Sequence, residues 1–313
     1  MPNIDVLVAG ELNPDLILAD PNLEPRFGQQ EILVQDMQIT AGSSSVIYAC
    51  GAARLGLKVA FIGVIGEDSF GSFMLDALQE RGVDTSAVIV DSQRTTGLTV
   101  ILNRVTDRAI LTYPGAINAL HAEQVKDDLL RQSRHLHVAS YFLQTALQPG
   151  LPDLFHRARA LGLTTSLDSN WDPTGKWSGF DALLRLTDIF FPNETEIQSL
   201  TGRMDIDEAA RVLAEKCNIL AVKLGAKGAL AYHGDEICRA PALSVQVADT
   251  VGAGDSFDAG FTYGFLQDWC LDRCLRLGIA CGSLSTRAHG GTTAQPTLEE
   301  ALQYANRIAP CSP

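Results

Sequence analysis

Short apolar segments alternate with amphipathic segments along most of this chain, and this alternation constrains its fold more than any other feature. IDVLVAG (residues 4–10) and NILAVKLG (218–225) are typical of buried strands, whereas SFGSFMLDALQERG (69–82) and DIDEAARVLAEKC (205–217) have the spacing of amphipathic helices. Strands that alternate with helices pair in parallel, and a parallel sheet needs helices on both of its faces. We therefore predict an α/β fold, with a three-layer α/β/α core around a mostly parallel sheet.

The same pattern continues in other parts of the chain. The other predicted strands are residues 58–66, 135–140, 163–168 and 187–192. The other predicted helices are residues 44–56, 151–162, 193–202, 254–267 and 270–288. We assign residues 1–11, 42–87 and 113–313 to one α/β core.

Two segments interrupt this alternation. Residues 12–41 lack a clear helical pattern, and residues 88–112 alternate like half-buried strands, with Thr99 and Ile101 facing one way and Val100 the other. We predict that the two segments form a small antiparallel β-sheet beside the core. Such a sheet can close over a site as a lid. The alternative is a surface hairpin that takes no part in closure.

The charge balance of the chain limits its partners. The sequence has 24 Lys and Arg residues against 37 Asp and Glu, a net charge of −13. Such an acidic protein has no basic region for nucleic acid or an anionic membrane, so we expect neither as a partner. We also expect no targeting leader and no transmembrane segment. The seven scattered cysteines indicate a reducing, cytoplasmic location rather than a disulfide framework.

The segment DTVGAGDSFDAGF (residues 249–261) carries the most specific chemical signal. The residues LSVQVA before it alternate like a strand, and the apolar run after its glycines is typical of a buried helix. A phosphate could approach the free N–H groups at the start of that helix, because Gly252, Ala253 and Gly254 leave room for it. Asp255 would repel this anion unless its carboxylate accepts a proton from an attacking hydroxyl group. The alternative is that Asp255 only caps the helix.

Other motifs for nucleotide binding or catalysis are absent from the sequence. It contains no G-x-x-x-x-G-K-[ST], no G-x-G-x-x-G, no G-x-S-x-G and no H-E-x-x-H. A P-loop kinase, a Rossmann dehydrogenase and a zincin are therefore disfavoured.

Six segments resemble, in their order along the chain, the ribokinase-like (phosphofructokinase-B) family of sugar and nucleoside kinases. DTVGAGDSFDAGF is similar to the C-terminal signature of that family, and GVIGEDSFGSFMLDALQERGVDTS (63–86) is similar to its N-terminal signature. GELNPDLIL, AGSSSVIYACGAARLG, NETE (193–196) and VKLGAKG (222–228) complete the set. The resemblance covers nearly the whole chain. It implies a ribokinase-like fold, ATP as the phosphate donor and Mg²⁺ as a cofactor.

The resemblance also implies roles for residues around the nucleotide. Asp255 matches the catalytic base of the family, and the turn before it (Gly252, Ala253 and Gly254) matches the anion hole for the transferred phosphoryl group. The nucleotide-binding positions that it implies are Asn193, Lys223, Gly225 and Gly228.

Two acidic positions resemble those that act on cations in the family. Glu196 matches a residue that influences Mg²⁺ through water, although Asn193 and Glu196 also have the spacing of a helix-capping pair. Asp249 matches a residue near a loop that binds a monovalent cation in many relatives. The resemblance therefore implies K⁺ as a further cofactor.

On the acceptor side, Asp15 matches the acidic residue that binds sugar hydroxyl groups, with Asn13 beside it. Gly42 matches a glycine turn that contacts the substrate. Ser43 could add a polar contact there, or could only cap the following helix. The chain has Ile47 where relatives often carry an asparagine, which implies the loss of one polar contact with the sugar.

These observations together favour an ATP-dependent sugar kinase that phosphorylates a hydroxyl group of a small sugar or sugar acid. Two alternatives stay open: a nucleoside kinase of the same family, and a non-catalytic sugar or nucleotide sensor on the same fold. Relatives often dimerise through the lid sheet, so the resemblance also implies a homodimer, which the alternating apolar residues at 98–102 permit.

Overall fold

A computed structural model describes residues 2–104, 107–179 and 181–311. Its strands are β1 (Ile4–Ala9), β2 (Pro14–Ala19), β3 (Asp36–Ala41), β4 (Val59–Ile62), β5 (Val64–Gly66), β6 (Ile89–Asp91), β7 (Leu98–Asn103), β8 (Arg108–Tyr113), β9 (Ser133–Val138), β10 (Thr164–Leu167), β11 (Ile189–Phe190), β12 (Ile219–Lys223), β13 (Ala229–His233) and β14 (Glu236–Ala240). Its helices are α1 (Ser44–Arg54), α2 (Ser69–Glu80), α3 (Asp127–Arg131), α4 (Leu151–Ala160), α5 (Asp181–Leu184), α6 (Glu194–Thr201), α7 (Ile206–Ala214), α8 (Ala253–Leu266), α9 (Leu271–Ser285) and α10 (Leu298–Ala305).

The core is an eight-stranded sheet with the strand order β14-β13-β12-β11-β10-β9-β1-β4. Every neighbouring pair from β12 to β4 is parallel. Strands β13 and β14, which the sequence analysis did not predict, extend one edge in antiparallel fashion. The predicted α/β core around a mostly parallel sheet is therefore confirmed.

Alternate side chains along each strand are buried on opposite faces of this sheet. In β1, Leu7 packs into a cluster with Leu154 of α4, whereas Val6 and Val8 pack into another cluster with Val46 of α1. Helices α8 and α9 cover the second face farther along the sheet. Both faces are apolar because both are covered, and this is why the strands read as continuous apolar runs. None of the helices in the described part of the chain has the length and apolar character that a membrane crossing requires.

A separate four-stranded sheet has the order β3-β2-β7-β8. Asp15 of β2 lies opposite Thr99 of β7, so both side chains belong to the same face. The prediction of a small sheet is confirmed, but the prediction that it is wholly antiparallel is wrong, because β2 and β7 pair in parallel. The chain passes through α1, β4 and α2 between these strands, and a crossover of that length allows parallel pairing.

Two strand predictions fail in detail. Residues 58–66 do not form one strand: the chain leaves the large sheet after β4, and β5 pairs instead with β6. The change of sheet occurs at Gly63, where a Cβ atom would lie 2.3 Å from the carbonyl oxygen of Gly10. The segment LSVQVA (243–248) is not a strand either. It runs beside the end of α9, where Ala248 N–H donates to the carbonyl oxygen of Thr286 (2.8 Å).

Candidate active site

Charged side chains converge where the strands of the large sheet end and α8 begins. Asp168 directly follows β10, Lys223 is the last residue of β12, and Asp255 lies in the first turn of α8. The ammonium group of Lys223 donates to Asp168 Oδ2 (2.7 Å) and to Asp258 Oδ2 (3.1 Å). One oxygen each of Asp168, Asp255 and Asp258 lies within 4.8 Å of the others. The site is thus a buried group of three carboxyls around one lysine.

The turn before α8 is shaped by glycine. Gly252 adopts φ 72°, in the left-handed region, and its carbonyl accepts from Ser256 N–H (2.9 Å) at the helix start. A Cβ atom on Gly252 would lie 2.8 Å from Gly291 Cα and 2.8 Å from a side-chain carbon of Ile47. The first N–H groups of a helix have no intrahelical acceptors. The turn therefore presents N–H donors that an anion can approach.

Asp255 is buried beside this turn, and its surroundings alter its proton affinity. Burial raises the pKa of Asp255 to about 8, and the charges of Asp168 and Glu11 act in the same direction. The ammonium group of Lys223 and a hydrogen bond from Ser44 lower the pKa of Asp255. A carboxylate with a pKa in this range is a stronger proton acceptor than an exposed aspartate.

A chain of polar side chains beside Asp255 was missed by the sequence analysis. Glu11 accepts from Ser45 Oγ (2.6 Å) and from Ser140 Oγ (2.8 Å). Asn170 Nδ2 donates to Ser140 Oγ (2.9 Å) and to the hydroxyl oxygen of Ser44. These residues follow the ends of β1, β9 and β10 or begin α1. Their position after strand ends is a signal that could have identified them.

Asp15 and Gly42, both predicted on the acceptor side, lie in contact. A Cβ atom on Gly42 would lie 2.1 Å from Asp15 Oδ1, so the glycine makes room for this carboxylate. Burial raises the pKa of Asp15 to about 7; Arg108 opposes the shift, while Glu11 and Asp249 add to it. The carboxylate of Asp15 is thus held in a confined, acidic part of the molecule.

The two other residues predicted on the acceptor side make local contacts. Asn13 Nδ2 donates to Thr99 Oγ1 (3.1 Å) at the small sheet. Ser43 caps α1, because its hydroxyl oxygen accepts from Val46 N–H (3.4 Å), and the same hydroxyl donates to the carbonyl oxygen of Glu11 (2.6 Å). The structure therefore places Ser43 as a helix cap.

Asn193 and Glu196 form the capping pair at the start of α6. Glu196 N–H donates to Asn193 Oδ1 (3.0 Å), and Asn193 donates from its backbone N–H to Glu196 Oε2 (3.0 Å) and from its amide to Glu196 Oε1 (2.6 Å). Ser169 Oγ also lies 3.4 Å from Glu196 Oε2. Burial, followed by the charge of Asp168, raises the pKa of Glu196 to about 7. Both carboxyl oxygens of Glu196 are engaged within the protein.

Asp249 joins two segments of chain. Its carboxylate accepts from Val251 N–H (3.0 Å) and from Gly290 N–H (3.0 Å), and its own N–H donates to the carbonyl oxygen of Thr286 (3.1 Å). The structure thus brings the turn before α8 against residues 286–290. Ile47 packs against this junction at Gly252 and Gly291.

Gly225 begins a 3-10 turn (Gly225–Lys227) between β12 and β13, and Gly228 directly follows it. Both have positive φ angles, 56° and 98°. A Cβ atom on Gly228 would lie 2.0 Å from the carbonyl oxygen of Ala240, whereas one on Gly225 would meet nothing within 4 Å. Gly228 is therefore required by the close approach of another backbone segment, and Gly225 by its φ angle alone.

This difference predicts the effect of alanine at the two glycines. We expect Gly228→Ala to lower the free energy of unfolding by about 2–4 kcal/mol, because a backbone clash adds to the left-handed strain. Gly225→Ala, the matched control, should cost only about 1–2 kcal/mol. Urea unfolding of both variants measures the difference. Equal losses in the two variants would contradict the role assigned to the contact with Ala240.

Comparison with known proteins identifies the family of this chain. A model of the pfkB family of carbohydrate kinases matches residues 3–298. Ribokinase of Haemophilus influenzae is 32% identical over 304 residues, which cover 95% of this chain and 97% of the relative. The 2-dehydro-3-deoxygluconokinase of Bacillus subtilis is 31% identical over 285 residues, which cover 84% of this chain and 86% of the relative.

The fold of the chain is also that of solved structures in this group. The structure of Arabidopsis thaliana ribokinase complexed with ribose and ATP has a TM-score of 0.85 at 25% identity, and the match covers 97% of this chain and 99% of that one. The ribokinase-like resemblance that the sequence motifs carry is thereby confirmed. The chain belongs to the pfkB family of carbohydrate kinases, enzymes that transfer a phosphoryl group to an alcohol group of the acceptor.

Proposed function

We propose that this sugar kinase transfers the γ-phosphate of ATP to a hydroxyl group of a small sugar or sugar acid, with Asp255 as the general base. The observation that carries the proposal is the position of Asp255. Its buried carboxyl group lies in the first turn of α8, directly after the Gly252 turn that presents N–H donors. A proton acceptor and an anion site are therefore adjacent, as phosphoryl transfer requires.

The reaction uses these two features together. The oxygen of the acceptor hydroxyl group forms a bond to the γ-phosphorus, the bond from that phosphorus to the bridging oxygen of ATP breaks, and ADP leaves with the electron pair. Asp255 takes the proton of the hydroxyl group. The N–H groups of Gly252, Ala253 and Gly254 stabilise the negative charge on the transferred phosphoryl group.

The residues assigned to the nucleotide site fit a water-mediated Mg²⁺ site. Mg²⁺ retains several water ligands in phosphate sites, and when bound it neutralises the charge of the β- and γ-phosphates. Asn193 donates one hydrogen bond to each carboxylate oxygen of Glu196. Glu196 would hold these waters through the lone pairs that remain on those oxygens. Asn193, Gly225 and Gly228 would line the nucleotide. Asp249, between the two segments that it joins, would orient a loop for K⁺.

The acceptor would bind between the core and the small sheet. Asp15 accepts hydroxyl hydrogens of the sugar, and Asn13 adds a second polar contact. Gly42 and Ser43 contact the sugar beside these two residues. The face of the small sheet that carries Asp15 also carries Thr99. We propose that this sheet, formed from residues within 12–41 and 88–112, is a lid that excludes water during transfer.

An acceptor screen tests this function. Purified protein with ATP and Mg²⁺ should form ADP in the presence of at least one sugar or sugar acid, among ribose, fructose, tagatose and 2-keto-3-deoxygluconate. ADP formation with adenosine or inosine alone would identify a nucleoside kinase instead. If no acceptor consumed ATP while one ligand raised the melting temperature, a sensor would replace the kinase.

The outer face of the small sheet supports a homodimer. Leu111 and Tyr113 of β8 and Met37 and Ile39 of β3 are exposed on the face opposite Asp15. Exposed apolar surface of this kind is typical of an interface between chains.

The seven cysteines are all free thiols in the structure, which supports a reducing, cytoplasmic location.

A further inference from the structure

The side chain of Lys223 runs beneath the first turn of α8. A Cβ atom added to Gly254 would lie 3.4 Å from Lys223 Nζ and 3.4 Å from Lys223 Cδ. The ammonium group ends between Asp168 Oδ2 (2.7 Å) and Asp258 Oδ2 (3.1 Å). Lys223 therefore places a positive charge directly below the turn that would receive the phosphoryl group.

This geometry does not favour Lys223 as a direct ligand of the nucleotide. Its side chain is only 13% exposed, and the side chains of Asp168 and Asp258 are 3% and 1% exposed. To reach a phosphate, the ammonium group would have to leave two buried carboxyl groups. Separating a buried ion pair is strongly unfavourable, because it leaves an uncompensated charge in the interior.

One ammonium group lies among three buried carboxyl groups, so ionising all three would leave uncompensated negative charge in the interior. Burial raises the pKa of Asp258 well above its ordinary value, and Asp258 Oδ1 has no hydrogen-bond partner. Lys223 is the largest influence that opposes burial at Asp168, and the pKa of Asp168 is lowered. Lys223 and Asp168 therefore form the ion pair, and Asp258 binds a proton more tightly than an ordinary aspartate does.

We propose that Lys223 is a positioning residue, which holds a positive charge beneath the Gly252–Gly254 turn and favours the ionised form of Asp255, the form that acts as base, with Asp168 as the counter-charge. This inference rests on the proposed function of Asp255. The charged and polar groups that face Asp255 come from several elements: Asp168 after β10, Lys223 at the end of β12, Glu11 after β1, Ser44 at the start of α1 and Asp258 on α8 itself.

Charge-changing variants test this role through the pH dependence of kcat/KM. Lys223→Met should move the acid limb of the profile to higher pH by about one unit, because Asp255 loses a nearby positive charge. Asp168→Asn should move it to lower pH, and the double variant should return it towards the wild-type position. The Kd for ATP should stay within about threefold of wild type, since a loss of direct phosphate contact would exceed this.

Lys227→Met is the matched control. Lys227 lies four residues along the chain, is exposed and pairs with Glu194 (2.9 Å). Its replacement should leave the acid limb unchanged. If Lys223→Met left the limb unchanged and raised the Kd for ATP tenfold or more, Lys223 would be a nucleotide ligand and the inference would be wrong. Should Lys223→Met fail to fold, an unchanged limb in Asp168→Asn would overturn the inference equally.

A second readout separates this inference from the proposed function. Carboxyl ¹³C NMR follows the titration of Asp255 without any acceptor, and the signal is identified by its absence in Asp255→Asn. We expect the pKa of Asp255 to rise in Lys223→Met and to fall in Asp168→Asn. If the pKa of Asp255 shifts in these opposite directions but the protein has no kinase activity, the kinase assignment is refuted and the role of Lys223 stands. If the protein is an active kinase but the pKa of Asp255 does not shift in either variant, the role of Lys223 is refuted and the kinase assignment stands.

Discussion

Replacement of Asp255 by asparagine is expected to lower kcat by about 10²–10⁴-fold, the usual contribution of a general base. The amide has the shape of the carboxyl group but cannot take the proton of the acceptor hydroxyl group. The Kd for ATP should remain near the wild-type value, because the N–H donors of the turn are unchanged. Steady-state kinetics with the best acceptor of the screen, together with calorimetric titration of ATP, measure both quantities.

The melting temperature of Asp255→Asn shows whether a loss of activity comes from a loss of stability. Burial raises the pKa of Asp255 to about 8, so the folded state binds this proton more tightly than the unfolded state. The stabilising effect of that proton is complete below the ordinary aspartate value near 4 and is lost as the pH rises to about 8. Asparagine avoids this loss, and the variant should melt no lower than wild type at pH 8. Near-normal turnover in a folded Asp255→Asn protein would exclude Asp255 as the base.

A second large effect is expected from Gly252→Ala. The methyl group would lie 2.8 Å from Gly291 Cα, and the left-handed backbone would cost about 1–2 kcal/mol in addition. The turn must move, and its N–H groups would no longer face the transferred phosphoryl group. Loss of one such donor lowers kcat by about 10²–10³-fold in other enzymes, and we expect a decrease of this size.

Gly234→Ala controls for backbone strain in this experiment. Gly234 has φ 57° in the turn between β13 and β14, and a Cβ atom there would meet nothing within 4 Å. It should show a similar loss of stability from strain and a normal kcat. If Gly252→Ala lost no more activity than Gly234→Ala, the anion-hole role of the turn would have to be abandoned.

The large sheet could be predicted because its physical cause is local in sequence. A strand buried on both faces must be apolar throughout, and IDVLVAG and NILAVKLG show this directly. Gly63 shows the limit of such reasoning. The apolar run 58–66 continues through it, but the chain changes sheets there. The close approach of the Gly10 backbone leaves no room for a side chain at this position, and that contact joins residues far apart in sequence.

The candidate site was predictable in a similar, partial way. Gly252 and Asp255 stand in one short motif, and the resemblance assigned both Asp15 and Gly42 to the acceptor side. The partners of Lys223 did not follow, because Asp168 and Asp258 reach it from a different strand and from the second turn of α8. A lysine at a strand end gives no indication by itself of whether it faces a ligand or a buried carboxylate.

The most direct test of the account follows the γ-phosphate itself. ATP labelled in the γ-phosphate is incubated with wild-type protein, Mg²⁺ and the best sugar acceptor, and the label is located by chromatography. We expect the label to appear in a sugar phosphate with wild type, and Asp255→Asn to form at least a hundredfold less of it. Label found only in inorganic phosphate, or equal sugar phosphate from both proteins, would contradict phosphoryl transfer by Asp255 at this site.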